Sequence, residues 1–563
     1  MRKSRLLAVL ASTAMLSVGV AAVPGGSAGA ASVRYGGVLH AVMPWVTIPD
    51  NFNPLNPGTN SATAGGTAGA IYEPLAYDDA YTGKFTPMLA ASWSWSNGGK
   101  TLTINTREGA TWSDGTPFSA ADVAFTFNYI KKFPATDTYG TWKTTLTSVK
   151  ATSPGTVVLQ YSSADTTALP FIAHQLIVPE HIWSKVANPV TFTNAKPVGT
   201  GPFLLKSYNS TAVTYVKNPH YWMAGRPYIN GFTIQAVKSN NTAELLLLNG
   251  DDAYTYDSIT DPQATYVASH PAWNKYWWPS LAQNIVYMNT TVAPFSDVNL
   301  RMAVAMSLND NVIADRAYFG AVAPANGPQE AGVTAGQTAG WVSPSLSSLE
   351  WTYNPSGALR LLESHGYKLV NGSLQDPSGK VLPTYKILVG SGWTDFISIA
   401  QTMSQELLQI GIHTTIDQEP FSTYYGDAQG GTYDFLVCWS NGNDATPYYE
   451  FYYMLDSAQS STSASKPVNT DYERFTSPAI DSALANFSST TSLAKQKADI
   501  LSIEKTVLTQ VPAIPVTGRP NWFVYSTRYF TGWPSASEPY NAGEAPDNWQ
   551  GGAEQLYLNV HLK

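Results

Sequence analysis

The residues best suited to chemistry gather in "CWSNGNDATPYYEF", residues 438–451. Cys438, the only cysteine in the chain, would act as a nucleophile if a base and a cation held it as thiolate. No cation stands near it in sequence, and the apolar run before it favours the neutral thiol. It reads as a small buried hydrophobe. Paired carboxylates are a second route. Asp251-Asp252 and Asp444 would serve glycoside hydrolysis if the fold set two carboxyls about 5–10 Å apart. A secreted glycan-active hydrolase using Asp444 and a partner carboxylate is therefore the alternative reading, with solvated turn acids the plainer account. His174, Glu180 and His181 come nearest to a metal set, but their spacing matches no zinc motif. No metal or other cofactor is expected. G-x-S-x-G, phosphate-loop and H-E-x-x-H motifs are absent from the mature chain.

The same residues suit holding better than reacting. Trp439, Ser440, Asn441, Asn443 and Asp444 combine a flat ring with groups that donate and accept hydrogen bonds. Such a set matches sugar hydroxyls and the apolar faces of pyranose rings. Trp45, Trp393, Tyr424 and Trp533, with Tyr425 and Trp522, are further loop aromatics able to stack on a guest. Elements must bring these together. "YDFLVCW" (433–439) is a near-continuous apolar run, the pattern of a strand buried on both faces. The polar stretch after Trp439 then leaves its carboxyl end, where open α/β sheets collect ligands. "TYKILVG" (384–390) and "IHTTID" (412–417) predict strands, with a helix over 396–410 between them that ends at Gly411. Another helix runs from Asn354-Pro355 to Gly366. In the first half, Val33–His40 and "TLTINTR" (101–107) predict strands, and Ser119 with Asp122 forms a capping box for the next helix.

Composition narrows the class. Charged residues make up only 13% and the formal net charge is −8, which excludes a nucleic-acid partner. Aromatics reach 12%, with 17 Trp and 32 Tyr, more than a core requires. Arg2, Lys3 and Arg5, the apolar run Leu6–Val20 and Ala28-Gly29-Ala30 read as a signal peptide cleaved before Ala31. Losing those three cations and no acids takes the net charge from −8 to −11. A lone cysteine permits no intramolecular disulfide. No cysteine lies near the cleavage site, so no lipid anchor is expected there. The expectation is an exported α/β monomer, periplasmic or held at the cell surface, with 563 residues divided into lobes.

Several segments in order point to a family: "YEPLAYDD" (72–79), "SDGTPFSAADVAFTFN" (113–128), "PVGTGPFLLKSY" (197–208), "KNPHYWMAGRPYI" (217–229) and "YNPSGALRLLESHGY" (353–367). Together they resemble solute-binding protein family 5 of bacterial ABC importers, the oligopeptide-, dipeptide- and oligosaccharide-binding type. The resemblance runs from about residue 35 to the C-terminus. It implies a two-lobed, class II periplasmic-binding-protein-like α/β fold with an additional inserted domain. Carried onto this chain, residues 33–73, 197–285 and 520–563 build a discontinuous lobe I, 74–196 the inserted domain, and 286–519 lobe II. The implied function is capture of an oligopeptide or short oligosaccharide between the lobes and delivery to a permease and ATPase complex at the membrane, with no catalysis. Peptide binders of the family commonly carry W-x-x-D-x-x-x-P in the loop corresponding to 439–446, with the acid pairing the peptide amino group. Here Trp439 matches, but Gly442 takes the acid's place, Asp444 comes two residues later and Pro447 is displaced by one. A buried ammonium without a carboxylate is costly, so this departure favours sugars over free peptide N-termini.

Overall fold

The computed structural model describes residues 33–44, 47–56, 67–250, 252–325, 341–440, 446–461, 467–468, 470–543, 545 and 552–563. The expected leader lies outside these, as do Trp45, Asp251, Asn441, Asn443 and Asp444. Among the described residues no helix is long and apolar enough to cross a membrane.

The strands that matter here are β1 (Val38–Met43), β2 (Ala90–Ser96), β3 (Thr101–Thr106), β4 (Leu146–Ser153) and β5 (Thr156–Tyr161). They continue with β6 (Phe203–Asn209), β7 (Ala212–Lys217), β8 (Gly231–Ala236), β9 (Tyr254–Tyr256) and β10 (Asn274–Trp277). The last are β11 (Ser280–Met288), β12 (Tyr385–Gly390), β13 (Thr414–Glu419), β14 (Phe435–Trp439), β15 (Ala513–Pro520) and β16 (Phe523–Ser526). The helices used below are α1 (Ala120–Lys132), α2 (Asp310–Tyr318), α3 (Pro355–Ser364), α4 (Thr394–Leu407), α5 (Phe421–Gly430), α6 (Tyr448–Leu455) and α7 (Gly552–Asn559).

Most local expectations have a counterpart. β12, β13 and β14 sit within a residue or two of their predicted positions. α4 begins two residues early and closes with a tight turn at 408–410, ended by Gly411 at φ 77°. Asn354 caps α3, its side chain accepting the Gly357 N–H. Ser119 and Asp122 make the predicted capping box on α1, whose Val123, Phe127 and Ile130 are buried. The strand expected at Val33–His40 instead starts at Val38. Gly36 and Gly37 hold φ of 116° and 77°, which interrupts extended pairing, and a Cβ at Gly37 would come within 2.9 Å of Leu562.

Three sheets organise the chain. A seven-stranded sheet runs β10-β16-β9-β1-β8-β7-β6, combining early, middle and late stretches of chain. β2-β3-β5-β4 form a separate antiparallel sheet within the segment read as inserted. A five-stranded sheet runs β13-β12-β14-β11-β15. β14 explains its apolar run: Phe435 and Val437 join the core on one face, Leu436 and Cys438 the core on the other. The expected lobe boundary at 285/286 falls inside β11, all of which belongs to the five-stranded sheet.

The chain crosses between the two larger sheets twice, at Trp278-Pro279 and at Asn521-Trp522. The crossings lie side by side, joined by the Asn521 N–H donating to the Pro279 carbonyl at 2.8 Å. Register then fixes what lies nearby. β11 starts at this end, and its Asn284 is opposite Trp439 on one side and Thr517 on the other. The carboxyl ends of β14 and β15 therefore face the crossing.

Candidate functional site

Trp439 ends β14 half-buried, with Trp393 5.8 Å and Phe396 6.2 Å away between ring centroids. Trp393 stands at the start of α4, beyond the carboxyl end of β12. Its indole lies directly on Gly390, where a Cβ would approach within 2.4 Å, so only glycine permits that packing. The Arg519 guanidinium sits 5.0 Å from the Trp439 ring centroid and 6.0 Å from that of Trp522. A cation over indole faces is favourable, the more so when partly desolvated. Arg519 lies on β15, one residue before the strand ends.

A polar network adjoins this stack. The Asn284 side-chain amide donates to the Tyr318 hydroxyl at 2.6 Å and to Thr517 Oγ1 at 2.9 Å. Tyr318 donates to Asp395 Oδ2 at 3.1 Å. Burial pushes the Asp395 carboxyl up from its ordinary value, opposed by the Phe396 amide, the Tyr318 hydroxyl and the Arg519 charge. Asp395 and Tyr318 line a cavity of about 210 Å³, closed on the far side by residues 258–261 and Trp278. It thus takes its walls from segments attached to both large sheets. Behind the 258–261 loop, burial pushes the Asp257 carboxyl up to about 7. Two non-glycine residues of the lining, Asp261 and Phe319, hold left-handed backbone at φ 47° and 55°, the kind of local strain that gathers at ligand clamps.

The sequence-derived site residues divide. Trp439 and Trp393 come together at the strand ends. Ser440 is turned to structure: its Oγ accepts the Gln283 N–H at 3.0 Å and its own N–H donates to the Gln283 carbonyl. Tyr424, on α5, is fully buried, its hydroxyl donating to the Val437 carbonyl at 2.9 Å. It braces Trp393 from behind at 5.0 Å rather than facing a guest. Trp533 is also buried, packed on Tyr254, Phe523 and Tyr525 in the core of the seven-stranded sheet. Trp45, Asn441, Asn443 and Asp444 lie outside the described residues. Arg519, Asn284, Tyr318 and Asp395 were not anticipated. Arg519 had one signal, a lone charge in the otherwise uncharged run 513–526.

The groups considered for catalysis are placed elsewhere. Cys438 is buried, and burial pushes its thiol up to about 11. His181 pairs with Asp114 at 2.7 Å. His174 is buried, and desolvation lowers it to about 4. Asp252 is buried beside a small cavity lined also by His40 and Arg528. Among the described residues no three His, Cys, Asp or Glu side chains are placed to hold a metal.

Two α/β bodies joined by paired crossings, with rings at the strand ends beside the joint, define a two-lobed binding protein. The chain belongs to the bacterial extracellular solute-binding proteins, family 5, whose signature it matches over residues 84–462. It is 28% identical over 334 residues to the glutathione-binding protein GsiB of Escherichia coli K12, a match covering 57% of this chain and 61% of the relative. The chain thus aligns with less than two thirds of that relative's length. The periplasmic oligopeptide-binding protein of an oligopeptide ABC transporter from Thermotoga maritima superposes with a TM-score of 0.83 at 25% identity, covering 93% of this chain and 99% of that one. The mannohexaose-bound form of that protein superposes with a TM-score of 0.74, also at 25% identity, covering 93% and 98%. These likenesses give the class II periplasmic-binding-protein fold, and nothing in them supports the hydrolase alternative.

Proposed function

We propose that this chain is the extracytoplasmic binding component of an ABC importer, and that it captures short oligosaccharides between its lobes for delivery to a permease and ATPase complex. It acts as an exported monomer and performs no chemistry on the solute. The observation that carries this reading is the stack of Trp439, Arg519 and Trp522 at the strand ends beside the paired crossings. Indole faces suit pyranose rings, and the neighbouring amide, hydroxyl and carboxyl groups suit their hydroxyls. Asp395, whose carboxyl feels the Arg519 charge, is already engaged by Tyr318 and the start of α4. Among the described residues a peptide ammonium therefore finds no uncommitted carboxylate there. The mannohexaose bound by the Thermotoga maritima protein supports the same class.

Function follows from differential binding. A guest touching both lobes favours the closed arrangement by the contacts made only there, and the membrane partner reads that shape. The test is intrinsic tryptophan fluorescence and thermal melting with cello- and manno-oligosaccharides against di- to pentapeptides. Sugars should quench or shift emission and raise the melting temperature in proportion to saturation. Peptides doing so while sugars do not would overturn the ligand class and leave the transport reading standing.

A further inference from the structure

Arg519 carries more than a sugar platform needs. Guanidinium presents five N–H donors in a planar fork that matches a carboxylate in bidentate fashion. Arg519 is half-buried between two indoles. Yet among the described residues none of its donors has a protein acceptor, and no carboxylate lies within ion-pair distance of it. The cation that lines the adjoining cavity, Arg316, is by contrast engaged, donating to Gln405 Oε1 at 2.8 Å. Asp395 feels the Arg519 charge but directs a carboxyl oxygen to Tyr318. Holding a cation partly desolvated without a paired anion is unfavourable. The two rings offset part of this and, by fixing the fork, reduce the entropy lost when an anion arrives.

We infer that the solute bears a carboxylate and that Arg519 receives it, with Trp439 and Trp522 holding the guanidinium plane in place. Resting on the oligosaccharide reading, this makes the solute an acidic oligosaccharide, one with a uronate residue. The same chemistry is offered by the C-terminal carboxylate of a peptide, and the experiment separates the two sources.

Purified protein is titrated by calorimetry with di- to tetragalacturonides, with neutral manno- and cello-oligosaccharides of equal length, and with tri- and tetrapeptides as free acids and as C-terminal amides. Arg519→Met keeps the stem and removes the charge; Arg519→Lys keeps charge without the fork. Melting temperatures confirm that both variants fold. Wild type should bind galacturonides at least about tenfold more tightly than neutral oligomers, a preference weakened by salt. R519M should abolish that preference, weakening galacturonides at least about tenfold more than it weakens neutral oligomers, and R519K should restore part of it. Equal affinity for acidic and neutral sugars in wild type, or equal weakening of both by R519M, overturns the inference and leaves the oligosaccharide reading intact. Binding of free-acid peptides but neither their amides nor any sugar, lost in R519M, keeps the carboxylate contact and overturns the oligosaccharide reading.

Discussion

Two clusters in this molecule combine aromatic rings with ionisable groups, and they behave as opposites. On the seven-stranded side, Glu73 meets Glu554 of α7, both without exposure. The Tyr221 hydroxyl reaches Glu73 at 2.8 Å and Glu554 at 3.2 Å, and the Trp222 indole N–H donates to Glu73 at 2.9 Å. Burial drives both carboxyls up, Glu554 well above its ordinary range, and the two hydrogen-bond each other. A shared proton is how two such groups coexist out of water. At the crossing, Arg519 has rings around it and, among the described residues, no acceptor for its donors. The sealed cluster holds parts of the chain far apart in sequence. The open one stands at strand ends beside the paired crossings, where we propose that the guest binds. Composition is similar in both; what distinguishes them is whether the protein itself completes the polar groups.

The sharpest break of this comparison is Glu554→Ala. It leaves Glu73 buried with its partner gone and should cost about 3 kcal/mol in urea unfolding. Glu554→Gln, which keeps shape and hydrogen bonding, should cost under about 1 kcal/mol. Similar losses in both variants would show that the cluster is not the seal described. At the open cluster, Trp439→Ala should weaken solute binding by at least about tenfold in calorimetric titration, about 1.4 kcal/mol or more. Its effect on unfolding should be the smaller of the two. A larger loss of stability than of affinity would return Trp439 to the core.

Acidity tests two other buried carboxyls, Asp257 beside the 258–261 loop and Glu406 on α4. Burial pushes Asp257 and Glu406 each up to about 7, from 3.8 and 4.5. Between those values the folded chain holds protons that the unfolded chain has released. Stability is therefore greatest at the acid end of this window and falls as pH rises, with the loss complete above about 7. Melting temperature should drop by several degrees from pH 5 to pH 8, and Asp257→Asn with Glu406→Gln should flatten the slope. A rising midpoint would contradict the assignment.

A smaller effect is expected where α6 meets the segment read as inserted. The Tyr449 hydroxyl donates to the Thr167 carbonyl at 2.9 Å, beside an edge-on contact with Phe171. Tyr449→Phe should cost about 1 kcal/mol in unfolding and reduce solute affinity only a few-fold. Least of all, Cys438→Ala should leave binding within twofold, and the native thiol should resist iodoacetamide at pH 8. Rapid alkylation would mean that β14 opens readily.

Much of the local structure was legible in the chain. Asn354, Ser119 with Asp122, and Gly411 mark helix ends through hydrogen bonds and φ values set within a few residues. The continuous apolar run of β14 already reported burial on two faces. The site was legible only in part. The strand-end position of Trp439 was readable, whereas Trp393 stood out only as one of several loop aromatics. Tyr424 and Trp533 looked the same in sequence but turned inward, because an aromatic ring fits a core as readily as a cleft. Ser440 had its polar groups taken by Gln283, a partner supplied by strand pairing.

The amino-acid sequence by itself determined, to within a few residues, where several strands and helices lie, and that the chain is poor in charge and rich in rings. Those are short-range properties, carried by periodicity, caps and composition. Only the tertiary structure decided that Arg519 lies between Trp439 and Trp522, that Asn284 stands opposite both Trp439 and Thr517, and that both crossings run together. Such meetings depend on register between strands distant along the chain, and no local pattern of residues encodes which face of a distant strand will arrive beside them.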